Sequence, residues 1–168
     1  VAIRDVEASG TMRSIYAAMI DRQYDAAGSP EAGYDWLRKL DANTKVYAAN
    51  PTDLYLRVTR QEAAASAWNL QDVMLQIENQ NAPYTPVIPE PGAPMLVDGV
   101  AKIKNGPSSE AADAFLEFLF SEETQKDLSE TYYQIPSIEM TETPAWLAEL
   151  DLVEMDVDWD RIGQNESE

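Results

Sequence analysis

The 168-residue chain has no cysteine and no histidine. Without cysteine there are no disulfides and no thiolate nucleophiles. Without either residue there is no zinc site of the usual ligand set and no imidazole acid–base catalysis. Bases are scarce too, 12 lysines and arginines against 30 aspartates and glutamates, for a net charge of −18. The shortage is local: residues 1–60 carry eight of each sign, whereas residues 61–168 hold 22 acids and four bases. A field of that sign repels phosphate backbones and anionic membrane surfaces, so no nucleic-acid partner is expected. No run approaches the roughly 18 consecutive apolar residues of a membrane-spanning helix, and no charged-then-apolar leader opens the chain. The chain opens on Val1 rather than Met, so the expectation is a piece of a longer protein with any signal or lipid anchor upstream.

Hydrophobic residues make up 45% of the chain, enough for one ordinary domain with a core. Val1 to Val6 reads as a short strand ending in the polar turn Glu7-Ala8-Ser9-Gly10-Thr11. Met12, Ile15, Tyr16, Met19 and Ile20 then follow at the spacing of an amphipathic helix. Ser29-Pro30-Glu31 predicts a second helix capped by Ser29, with Tyr34, Leu37 and Leu40 on one face and an end near Asp41. Lys45 to Ala48 is a candidate strand, and Asn50-Pro51 opens a helical run through Leu54, Tyr55 and Val58. The Ala-rich stretch from Glu62 to Trp68 is helical by propensity but strand-like by its place between two helices; it is assigned here as a strand. Asn69 caps a helix built on Leu70, Val73, Met74 and Ile77. Extended segments follow at Tyr84 to Pro89 and Met95 to Ile103, then the turn Asn105-Gly106-Pro107 and a helix capped by Ser108 or Ser109. Ser121 starts another helix, and Thr143 is expected to cap one more at Pro144 to Leu150. Asp151 to Glu168 is expected to be a loosely attached acidic tail. Such alternation of strand and helix is that of an α/β fold.

Three stretches carry a family resemblance: the strand-to-Ser9-Gly10-Thr11-helix turn, the segment Gly33 to Asn43 with the strand-like Lys45-Val46-Tyr47, and the block Val100 to Gln125. Within that block Phe115-x-x-Phe118-Leu119-x-Ser121-x-x-x-Gln125 stands out, and Tyr132-Tyr133-Gln134-Ile135-Pro136 closes the likeness near residue 138. In this order they resemble the carboxyl-terminal part of a bacterial extracellular solute-binding protein of the iron(III), or family 1, ABC-importer type, a type II periplasmic binding protein. The resemblance implies a periplasmic-binding-protein-like lobe, a mixed sheet flanked by helices, plus carboxyl-terminal helices. Residues 1–98 would be the second of two lobes, and residues 99–138 a crossover strand and helices returning to the first. Residues 139–168 would be the acidic tail. The implied location is periplasmic or extracytoplasmic. The implied partners are a small solute, the membrane subunits of an ABC permease and the missing amino-terminal lobe.

Candidate site residues come from two loops. Ser9, Gly10 and Thr11 stand at a helix amino terminus, where free N–H groups and the helix dipole favour an anionic ligand group; simple capping accounts for them equally well. Trp68, Asn69, Gln71 and Asp72 fall where the resemblance puts a second ligand loop, with an aromatic face and hydrogen-bonding ends suited to a polar solute. Gln71-Asp72 replace the adjacent tyrosine pair of the ferric members, so no dityrosine iron site is expected. Tyr132 and Tyr133 read as packing rather than metal phenolates, and Arg4, Arg13 and Glu90 as solvated side chains. Asp151, Glu154, Asp156, Asp158 and Asp160 lack the glycine and spacing of a calcium loop and read as a solvated face. No catalytic residue, metal ligand or cofactor is assigned. The implied function is capture of a small polar, anionic solute for a permease. The alternatives are a ferric-iron or iron-chelate binding protein without the dityrosine site, a sensory or regulatory ligand-binding domain, and an enzyme on the same scaffold.

Overall fold

The computed structural model of the chain describes residues 1–165. Strand β1 (Ala2–Arg4) is buried along its whole length and pairs in parallel with β2 (Val46–Ala48), Ala2 opposite Val46 and Arg4 opposite Ala48. Parallel strands need a crossover, and a helical hairpin of α1 (Gly10–Ala27) and α2 (Glu31–Asn43) supplies it. The two helices touch where one residue has no side chain: a Cβ on Gly33 would lie 2.6 Å from the Cα of Ile20. After β2, Asn50 caps α3 (Pro51–Thr59), and Pro51 opens it. This helix lays Leu54, 1% exposed, against Ala2, Ala48 and Ala63, with Val46 and Trp68 at the margin. Full burial of a leucine contributes about 1.5–3 kcal/mol, so β1, β2 and α3 form the anchored part of the fold.

Glu62 to Trp68 does not form the expected third strand. Gln61 takes the left-handed conformation at φ 60° as α3 ends, Ala63 enters the core, and a single bond from the N–H of Ala2 to the carbonyl of Ala65, 3.0 Å, ties the segment to β1. The run Ala63-Ala64-Ala65-Ser66-Ala67 has no β-branched or aromatic side chain to pack across a ladder, so it lies beside β1 as extended chain. In place of a mixed sheet, the described residues hold a two-stranded parallel one among many helices. Two caps also differ. Pro30, at φ −74° and ψ −11°, already has helical backbone and its carbonyl accepts from Tyr34, which leaves Ser29 outside the cap. Pro144 likewise takes the cap expected of Thr143, its carbonyl accepting from Leu147 and Ala148.

Helix α4 (Leu70–Gln80) begins at its Asn69 cap, and the chain then runs to residue 108 with no ladder beyond a bridge at Ala93. Ser108 and Ser121 cap α5 (Ser109–Leu119) and α6 (Glu122–Tyr132). Gln125 is buried between them: its amide donates to the carbonyl of Leu119 and its oxygen accepts from the N–H of Ser137. The serine and glutamine of the sequence motif are therefore a cap and a splice. Helix α5 has no buried residue, and Phe118 is 62% exposed. Beyond α7 (Ala145–Ala148) and α8 (Trp159–Asn165), the acidic tail is not loose. Met155 is buried, Glu154 forms a parallel bridge with Ala93, and Arg161 reaches Asp21 and Asp25 on α1. The lone base of an acidic run finds two carboxylates on a neighbouring helix. Residues 166–168 of the expected tail lie outside the described residues.

Candidate functional site

Where parallel strands end, their following helices begin, and the helix amino termini gather at that edge. Here Arg4, the last residue of β1, ties three such termini together. It is 6% exposed, buried rather than solvated as its sequence context implied. Its Nε donates to the carbonyl of Ala48 at 3.1 Å, and its Nη2 to those of Ala49 and Ala8 at 3.2 Å each. Its guanidinium also stands 5.4 Å from the centroid of the Trp68 ring. Ala8 precedes the Ser9 cap of α1, Ala49 the Asn50 cap of α3, and Trp68 the Asn69 cap of α4. The two loops singled out in the sequence thus meet across one buried cation.

The three termini are not equivalent. Ser9 is buried with its Oγ accepting from the N–H of Met12 at 3.2 Å, and the side chains of Asn50 and Asn69 accept from Asp53 and Asp72 in the same way. Asp53 and Asp72 place a carboxylate in the first turns of α3 and α4, where it answers the positive end of the helix. Helix α1 has no acid in its first turn. Gly10 is exposed and Thr11 half-buried, and their N–H groups have no protein partner among the described residues. Arg13 lies over this end: its Nη1 donates to the carbonyls of Val6 and Glu7, and its Nη2 would stand 3.8 Å from a Cβ on Gly10. Of the three termini, that of α1 is the one that combines free amides, no first-turn acid and an exposed guanidinium.

The second loop turns inward. Oδ2 of Asp72 accepts from the Tyr55 hydroxyl at 2.9 Å, Trp68 Nε1 at 2.7 Å and Asn69 Nδ2 at 2.9 Å. Burial, and then the Asp72 carboxylate, push the Tyr55 phenol up to about 12 from 10.0. The side-chain polar atoms of Trp68 and Asn69, and Oδ2 of Asp72, are therefore committed within this group. Gln71 points elsewhere, its Nε2 donating to the carbonyl of Tyr132 at 2.9 Å. That carbonyl ends α6, and Tyr133 follows in the left-handed conformation with its ring edge-on to Trp146 at 5.4 Å, as packing. Among the described residues no cluster of acids is arranged to hold a metal ion, and Glu90 and the five tail acids are exposed.

The sequence reading missed Arg4, Asn50 and Tyr55 as parts of this edge. No local signal marks Arg4, because the carbonyls of Ala48 and Ala49 come within its reach only when β1 and β2 pair. The profile of the bacterial extracellular solute-binding protein family matches residues 1–134, which include every residue of the edge. No curated protein and no solved structure matches the chain. Among the described residues no helix is long and apolar enough to cross a membrane. A parallel sheet edge with converging helix termini, lying wholly inside a match that spans most of the sequence, places this chain among the bacterial extracellular solute-binding proteins.

Proposed function

We propose that the chain is one lobe of a two-lobed solute-binding protein of the iron(III), or family 1, type, working outside the cytoplasmic membrane with an ABC permease. Its solute is small, polar and anionic. The observation that carries this reading is the amino terminus of α1, where Gly10 and Thr11 offer unpartnered amides beside Arg13 and no first-turn acid competes. An anionic group seated there accepts backbone hydrogen bonds and meets the helix dipole, while Arg4 holds the loop carbonyls behind it in place. The reading involves binding only: the protein holds the solute and passes it on without covalent change.

Residues 1–98 serve as the solute-binding lobe, and residues 99–138 return to the other lobe. In keeping with this division, the core cluster of Ala2, Ala48, Leu54 and Ala63 lies within residues 1–98, and α5 in the returning part has no buried residue. The hydrogen bond from Gln71 to Tyr132 would then join the two parts beside the cleft. Gln71 and Asp72 supply no phenolate, so iron, if it is cargo, travels as an anionic chelate. The test is mass spectrometry of small molecules released from the purified full-length protein. An anionic solute is the expected result; a cationic or wholly apolar one would overturn the proposal.

A further inference from the structure

Residues 152–165 lie beyond the matched family region, yet among the described residues they make hydrogen bonds that span 137 and 140 positions of sequence. At one end Ala93 and this segment, a strap over the chain, exchange two backbone bonds, Ala93 N–H to the carbonyl of Val153 and Met155 N–H to the carbonyl of Ala93, both 2.9 Å. This approach requires glycine next door: Gly92 has φ 92°, and a Cβ on it would lie 2.7 Å from the Met155 nitrogen. At the other end Asp21, 3% exposed in the middle of α1, accepts from the N–H of Asp158 at 2.9 Å and from Arg161 Nε at 2.6 Å. Arg161 also reaches Asp25 at 2.7 Å and lies 4.8 Å over the ring of Tyr24. It is the sole base among residues 127–168.

We infer that residues 152–165 are a latch that fastens the irregular linker at Gly92–Ala93 to α1, so that the linker swings only when the whole strap lets go. Met155, whose N–H makes one of the bonds to Ala93, is buried, so that lifting the strap from Ala93 costs its burial as well as two hydrogen bonds. The inference does not depend on the identity of any solute.

Hydrogen exchange on the full-length protein reads the latch through three amides, those of Ala93, Met155 and Asp158. Two variants attack opposite ends. Gly92→Ala crowds the bridge, and Asp21→Asn combined with Arg161→Met removes the clamp without stranding a buried charge. Each is expected to speed exchange of all three amides together by about tenfold or more, with the β1–β2 amides unchanged. Release of only the amides nearest the altered end, in either variant, would overturn the latch, as would free exchange of all three in the wild type.

Discussion

Arg4 shows how much one side chain organises here. It donates to three loop carbonyls, of which that of Ala48 also accepts from the N–H of Asp5 at 2.9 Å. Arg4→Met, which leaves the carbonyls of Ala8 and Ala49 without this donor, is expected to cost about 1–3 kcal/mol in urea unfolding. Tyr55 gives a pH prediction. Its folded value of about 12 lies above the ordinary 10.0, because burial and Asp72 disfavour the phenolate. A group raised in this way favours the folded state below about pH 10, and that contribution is lost as pH climbs through 12. Asp72→Asn is expected to bring the titration back toward 10, seen by ultraviolet difference spectroscopy and identified by its absence in Tyr55→Phe. An unmoved titration would mean that burial alone sets it.

At the scale of elements, the fold divides into parts that tolerate change and parts that do not. Gly33→Ala forces a methyl into the backbone of Ile20 and should cost about 1–3 kcal/mol, whereas Phe118→Ser on exposed α5 should stay within about 0.5 kcal/mol in the isolated chain. Thermal unfolding of the two variants checks both figures. The helices were legible because their signals are local: Ser9, Asn50, Asn69, Ser108 and Ser121 all cap as their side chains dictate. Prolines 30 and 144 took caps from their neighbours because a fixed φ starts the turn by itself. The stretch after Glu62 was misread because alanine carries little pattern, and its course depends on one bond to Ala2. In the candidate site, Ser9 to Thr11 could be read from a cap and a glycine. Arg4, 44 residues from the carbonyl of Ala48, could not, since that contact exists only once β1 and β2 pair. The same limit hid the Arg161 clamp, formed across 140 residues.

At the scale of the molecule, charge and burial agree with the proposed division of labour. The balanced first third builds the sheet edge and its cations, and none of the described acids in the acidic remainder is buried. On the proposed two-lobed reading, one lobe by itself leaves much of a bound solute wet, and the isolated 168 residues are expected to bind far more weakly than a protein with both lobes. Calorimetry of both with the released solute checks this, and equal affinities would point to a self-contained binding domain. The central claim, an anionic group at the amino terminus of α1, is tested most directly by calorimetry of full-length Gly10→Asp with that solute. A side chain fits at this position, its Cβ 3.8 Å from Arg13, and gives α1 the first-turn carboxylate it lacks, so the fold should keep or gain stability. The account predicts that this built-in anion lowers affinity by about tenfold or more, a change of about 1.4 kcal/mol per tenfold; unchanged affinity in the folded variant would contradict it.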